Sequence, residues 1–116
     1  MTDIYHNPRC TKSRQTLALL KKNDIQTNII DYMSQPPDVD TLRVLIKQLG
    51  LSPRSLLRKN EAIYKELGLK NQDLTDTLIL QAMSQYPKLI ERPIVVHSDN
   101  AKIGRPPVAV LELFAL

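Results

Sequence analysis

A chain of 116 residues is the size of one compact domain and is long enough to bury a core without disulfides. Hydrophobic residues make up 42% and charged residues 24%, which is ordinary for a soluble globular protein. The one cysteine excludes an internal disulfide and favours a reducing compartment. Because the N-terminus is polar and the apolar runs are short, we expect no signal peptide, no membrane span and a cytoplasmic location.

The formal net charge is +4, and the cations are scattered along the chain. Nucleic-acid binding is disfavoured, because the sequence has no tryptophan and a single phenylalanine to stack on bases. Two interpretations of the charge remain at this point. It is either a solvated surface with a mild excess of lysine, or it includes a small anion site built from a few arginines.

The first third of the chain predicts a βαβ unit. "DIYH" is typical of a short strand that the turn signal Asn7-Pro8 closes. Residues 11–23 carry Leu17 and Leu20 at helical spacing, and "TNIIDY" then predicts a second strand. Because strand, helix and strand follow within about thirty residues, the economical interpretation is a right-handed crossover between parallel strands.

Residues 38–86 predict a block of helices without a strand. Asp38 is a suitable N-cap for a helix that Gly50 ends. Three further helical segments are predicted, the third with Thr75 as its cap: "PRSLLRKN", "EAIYKELG" and "TDTLILQAMSQY".

The end of the chain predicts a hairpin and a last helix. "RPIVVHSDNAKIGRPP" contains two short strands joined by a turn at residues 98–100, and "PVAVLELFAL" follows the paired prolines as a helix. The complete order is β-α-β, helical insert, β-β-α, which is the order of a thioredoxin-like α/β fold. We therefore expect a four-stranded mixed sheet flanked by helices, in a single domain over residues 1–116 with a helical insert at about 38–86.

The cysteine lies where the first strand gives way to the first helix, in "YHNPRCTKSR". The backbone N–H groups of residues 11–13 would point at the sulfur of Cys10, which lowers the pKa of a thiol. Arg9, Lys12 and Arg14 add positive charge nearby. A lone cysteine is more often structural, but this position favours a nucleophile that attacks an anion held by the same amides, those of Thr11 and Lys12 included.

Two polar neighbours have open roles. Ser13 stands where a thioredoxin-type dithiol has its second cysteine, and its hydroxyl either bonds the thiolate or caps the helix. His6 either tunes the sulfur or is an ordinary polar residue at a strand end. His6, His97 and Cys10 do not have zinc-ligand spacing, so we assign no metal.

Three arginines far apart in the sequence are candidates for an oxyanion site: Arg58, Arg92 and Arg105. Arginines that converge on a thiolate would bind a tetrahedral oxyanion through forked hydrogen bonds. For any one of them taken singly, an exposed surface arginine is the default interpretation. In thioredoxin-like folds a cis-proline opens the third strand, and we therefore predict a cis peptide bond before Pro93.

Four motifs in order, "IYHNPRCTKSR", "LLRKN", "ERPIVV" and "IGRPP", resemble the glutaredoxin-coupled arsenate reductase family, called ArsC, over essentially the whole chain. The resemblance implies that Cys10 is the nucleophile and that Arg58, Arg92 and Arg105 bind the oxyanion. It also implies that His6 and Ser13 keep the sulfur ionised.

Two features resemble the short YfgD-like branch of this family. The loop reads "CTKS" where the best-studied members have a Gly-Thr pair before the serine, and the sequence ends at Leu116 without their C-terminal extension. The related Spx-type regulators typically have a Cys-x-x-Cys pair, and Ser13 argues against a redox switch of that type.

The resemblance implies a mechanism in which Cys10 attacks arsenate, glutathione adds, and glutaredoxin reduces the mixed species to release arsenite. Glutathione is then a co-substrate of a monomeric enzyme that needs no bound cofactor, and its partners are arsenate and glutaredoxin. External thiols are required because the chain has no second cysteine. The alternatives are a Spx-like interaction module and a thiol oxidoreductase that acts on glutathione mixed disulfides.

Overall fold

The computed structural model describes residues 1–114 of the chain. It contains two compact units. One unit comprises Met1–Gln35 and Arg92–Leu116, and the other comprises Pro36–Glu91. The helical insert that the sequence predicts at about 38–86 falls within the second unit, while a single domain over the whole chain stays a prediction.

The first unit is built on a four-stranded mixed sheet with the order β2-β1-β3-β4. Its strands are β1 (Thr2–His6), β2 (Asn28–Asp31), β3 (Ile94–His97) and β4 (Asn100–Ile103). β1 pairs parallel with β2 and antiparallel with β3, and β3 pairs antiparallel with β4. The predicted βαβ unit with parallel strands is therefore confirmed.

Helix α1 (Thr11–Lys22) connects β1 to β2 and matches the predicted helix closely. Two lysines occupy its last turn, where positive charge interacts favourably with the helix dipole. The inward side of α1 packs on the sheet through a fully buried cluster of four side chains, which are Ile4, Leu20, Val95 and Val110. This packing holds α1 against β1 and β3.

The predicted hairpin and last helix are both present. β3 and β4 are joined at Ser98 and Asp99, and Ser98 adopts the positive φ of 56° that such a short hairpin loop requires. Pro107–Leu113 forms a helix that begins on a proline, as predicted, but it is a 3-10 helix. The last two residues of the predicted helix, 115 and 116, lie outside the described residues.

The second unit contains only helices and turns as regular elements, as predicted. Its α-helices are α2 (Val39–Leu49), α3 (Pro53–Leu56), α4 (Ala62–Glu66) and α5 (Asp76–Gln85), and a 3-10 helix covers Pro87–Leu89. The Asp38 carboxylate caps α2 by accepting from the Thr41 N–H at 2.8 Å, and Gly50 ends this helix in the left-handed conformation. Thr75 caps α5 as predicted, because its hydroxyl accepts from the Leu78 N–H.

A one-residue bridge that the sequence did not indicate joins Leu57 to Ile90 in this unit. The Arg58 N–H donates to the Leu89 carbonyl at 2.7 Å, and the Glu91 N–H donates to the Leu56 carbonyl at 2.8 Å. These bonds hold the segment around Arg58 against the end of the unit. Among the described residues 1–114, no helix is both long enough and apolar enough to span a membrane.

The packing of α1 on the sheet generates a stability prediction. We expect Leu20→Ala to lower the free energy of unfolding by about 2–5 kcal/mol, because it removes a fully buried side chain from a well-packed core. Leu19→Ala, a matched truncation of a partly exposed side chain on the same helix, should cost less. Urea denaturation followed by circular dichroism measures both variants, and equal losses would contradict the packing of α1 described above.

Candidate active site

Cys10 lies in the turn between β1 and α1, at the N-cap position of the helix. Its backbone is extended, with φ −94° and ψ 124°, and its N–H donates to the Asn7 carbonyl at 3.0 Å. Its carbonyl accepts the first hydrogen bond of the helix, from the Arg14 N–H at 3.0 Å. The side chain is half-buried. The sulfur is thus placed over the first turn of α1, where the sequence predicts it, and is still reachable from solvent.

Opposing effects act on the pKa of Cys10, and their sum lowers it. The largest single effect is burial of the sulfur, which raises the pKa. Interactions of the charged sulfur with the Ser13 N–H, the Arg92 guanidinium and the Lys12 N–H together outweigh burial. The thiolate is therefore favoured by two amides of the helix N-terminus and one arginine. The direction of this shift agrees with the prediction from the position of Cys10 in the sequence.

Two of the three predicted arginines come to the sulfur. The Arg92 guanidinium interacts with the Cys10 sulfur and lowers the pKa of the thiol. The Arg105 Nη2 lies 3.8 Å from the Cys10 Sγ, and the Arg105 Nε donates to the Arg92 carbonyl at 2.8 Å. The Arg92-Pro93 peptide bond is cis, which confirms that prediction, and the Arg105-Pro106 bond is also cis. Residues that are 95 positions apart thus form one cationic site around the thiol.

His6 and Ser13 are connected to each other beneath the loop. The Ser13 Oγ lies 2.5 Å from the His6 Nδ1 and accepts from the Asn7 N–H at 3.0 Å, and both side chains are buried. Burial is the main cause that lowers the pKa of His6. The Ser13 hydroxyl is therefore engaged with His6 and Asn7, while the Ser13 backbone N–H acts on the sulfur.

Arg14 has a role that the sequence interpretation did not find. Its Nη1 donates to the Pro8 carbonyl at 2.9 Å, and its Nη2 donates to the Thr11 hydroxyl at 3.3 Å. Through these two hydrogen bonds, Arg14 connects the loop that precedes Cys10 to the first turn of α1. The contact between Arg14 and Thr11 could have been predicted from their separation of three residues, which places both side chains on one face of a helix.

Arg58 belongs to the second unit. Its guanidinium lies 3.8 Å from the Glu61 carboxylate and 3.6 Å from the Glu91 carboxylate, so two acidic side chains neighbour it within that unit. Its assignment to the oxyanion site stays a prediction. Within residues 1–114, no three side chains of histidine, cysteine, aspartate or glutamate are grouped as metal ligands.

Comparison with known proteins gives matches along nearly the whole chain. The model of the ArsC family matches residues 5–113. The Escherichia coli K12 protein named YfgD is 52% identical over 111 residues, which are 95% of this chain and 93% of that protein. A Haemophilus influenzae protein named arsenate reductase is 47% identical over 111 residues, which are 95% of this chain and 96% of that protein.

A solved structure agrees with these matches. The structure of an arsenate reductase from Vibrio cholerae is 48% identical to this chain, has a TM-score of 0.96 and covers 97% of each chain. The residues that match the family model, 5–113, include Cys10, helix α1 and the hairpin flanked by Arg92 and Arg105. The chain therefore belongs to the ArsC family and has its thioredoxin-like fold.

Proposed function

We propose that this protein is an arsenate reductase in which the thiolate of Cys10 attacks arsenate. The observation that carries the proposal is a half-buried thiol of lowered pKa with Arg92 and Arg105 beside its sulfur. Relatives that share about half of the sequence are named arsenate reductase, which supports the same activity here. We further propose that the protein acts as a monomer in the cytoplasm and holds no prosthetic group.

The substrate would be held by the groups that stabilise the thiolate. Arsenate is a tetrahedral oxyanion, and guanidinium groups bind such anions through paired N–H donors. Arg92 and Arg105 are proposed to provide these donors, together with the backbone N–H groups of Thr11 and Lys12 at the start of α1. Because Cys10 occupies the N-cap position, an anion at these amides would lie next to the sulfur.

The first chemical step forms a bond between sulfur and arsenic. The Cys10 thiolate attacks the arsenic atom, and one arsenate oxygen leaves as water after it has taken up protons. Arsenic stays in the +5 state in this adduct. The positive charge of Arg92 and Arg105 offsets the negative charge on the arsenate oxygens, which would otherwise repel a thiolate.

The reduction itself needs a second sulfur. Two electrons convert As(V) to As(III), and two thiols supply them by forming one disulfide bond. This chain has one cysteine, and Ser13 stands where a second would be. We therefore propose that glutathione adds to the adduct and that glutaredoxin reduces this mixed species by forming a disulfide with the glutathione sulfur, after which arsenite is released.

His6 is proposed to act on the thiolate through Ser13. Burial lowers the pKa of His6, which disfavours the cationic form of its ring. The ring and the Asn7 N–H hold the Ser13 hydroxyl, and this fixes the turn whose backbone N–H faces the sulfur. The contribution of Arg58 to substrate binding stays a prediction from the family pattern.

The ionisation of Cys10 is directly measurable. We expect the rate of alkylation by iodoacetamide to rise with pH around a midpoint below ~8.5, the value of an unperturbed thiol. Arg92→Ala should move the midpoint upward, because it removes the guanidinium that stabilises the thiolate. Arg9→Ala removes an exposed cation from the same loop and should move the midpoint less. A wild-type midpoint at or above the ordinary value would contradict the proposal.

The reaction needs Cys10 and an external thiol system together. With arsenate, glutathione and glutaredoxin, the wild-type protein should form arsenite, and Cys10→Ser should form none above background because its hydroxyl is a poor nucleophile. Omission of glutathione should stop the wild-type protein at the first adduct.

Circular dichroism of the Cys10→Ser variant controls for its folding. Absence of arsenite from the wild-type protein in the presence of active glutaredoxin would overturn the arsenate reductase proposal. It would leave open the reduction of glutathione mixed disulfides, which the same assay detects with a mixed-disulfide substrate.

A further inference from the structure

Gly104 is buried at the end of β4, directly before Arg105. A Cβ atom at this position would lie 2.8 Å from the Pro93 Cγ and 3.1 Å from the Thr16 Cγ2, and closer still to the Thr16 Oγ1. Ordinary Cβ contacts are longer than this, so any side chain here would force its neighbours apart. The glycine is needed for close approach of the backbone.

Both neighbours of Gly104 belong to elements that shape the thiol site. Thr16 is fully buried on α1, and its hydroxyl donates to the Lys12 carbonyl at 2.8 Å, within the turn whose amides act on Cys10. Pro93 directly follows Arg92, and its carbonyl accepts from the Gly104 N–H at 2.9 Å. Gly104 is thus the point where the arginine-bearing segments touch the helix that carries the thiol.

Two hydrogen bonds join the arginine-bearing segments into one piece. The Gly104 N–H bonds the Pro93 carbonyl, and the Arg105 Nε bonds the Arg92 carbonyl. A displacement of Gly104 away from α1 would therefore carry both guanidinium groups with it.

We propose that Gly104 is a positioning residue that sets the distance of the Arg92 and Arg105 guanidinium groups from the Cys10 sulfur. It acts by letting the end of β4 lie directly against the first turns of α1. A side chain at this position moves the two arginines outward, which weakens both the stabilisation of the thiolate and the binding of an oxyanion. The second effect rests on the proposed function, whereas the first does not.

The test uses iodoacetamide alkylation of the full-length protein in two ways. The midpoint of the rate against pH reports the environment of the thiolate, and the arsenate concentration that protects Cys10 from alkylation reports oxyanion binding. We expect Gly104→Ala to raise the midpoint and to raise the protecting concentration about tenfold, since small displacements of positioned groups have effects of this size or larger. Thermal denaturation establishes that the variant is folded.

Thr16→Ala provides a matched rescue. In the double variant Thr16→Ala/Gly104→Ala, the close contacts with both Thr16 atoms are gone, while the close contact with Pro93 remains. We expect its midpoint and protecting concentration to lie between those of Thr16→Ala and Gly104→Ala. A residue with a merely structural role would change the melting temperature without this recovery of both readouts.

A double-mutant cycle tests whether Gly104 acts through the arginine. In an Arg92→Ala background, Gly104→Ala should raise the alkylation midpoint less than it does in the wild-type protein, because the group that it displaces is absent. Equal shifts in the two backgrounds would overturn the proposal, and so would a folded Gly104→Ala variant with the wild-type midpoint.

The role of Gly104 can still be tested if Gly104→Ala does not fold or if arsenate does not protect the wild-type protein. If Gly104→Ala does not fold, the double variant is compared with Thr16→Ala alone; a higher midpoint supports the proposal and an equal midpoint overturns it. If arsenate does not protect even the wild-type protein, the proposed function fails, while the alkylation midpoints still decide the role of Gly104.

Discussion

The balance of charge at the sulfur of Cys10 is the constraint on which the rest of the site depends. Burial of the thiol disfavours its ionised form, and the Ser13 and Lys12 amides together with the Arg92 guanidinium more than offset this. These groups come from two parts of the first unit, the first turn of α1 and the segment directly before β3. The mixed sheet and the cluster under α1 are what hold these two parts at one sulfur.

Local patterns in the sequence predicted the elements and the position of the thiol. Asn7-Pro8 ends the first strand, and the helical periodicity that follows predicts a helix that begins next to Cys10. In the structure Cys10 is the N-cap of this helix, α1. Asp38 and Gly50 delimit α2 by capping rules that act within a few residues. The position of Pro93 at the start of the third strand, together with the fold, was enough to predict its cis bond.

Features that depend on distances across the fold could not be predicted in the same way. The sequence left open whether the Ser13 hydroxyl bonds the thiolate, and the structure places it on His6 instead. Gly104 lies close to Thr16, which is far from it in the sequence, and no sequence pattern relates the two positions. The 3-10 form of the last helix also escaped prediction, because its apolar pattern does not distinguish it from an α-helix.

The central claim is that Cys10, the amides that follow it and the arginines form one oxyanion site. A crystal structure of the protein with bound arsenate tests this most directly. The account predicts an anion next to the Cys10 sulfur, with its oxygens within hydrogen-bond distance of the α1 amides and of the Arg92 and Arg105 guanidinium groups. An anion bound elsewhere, or guanidinium groups that turn away from the sulfur at saturating arsenate, would contradict it.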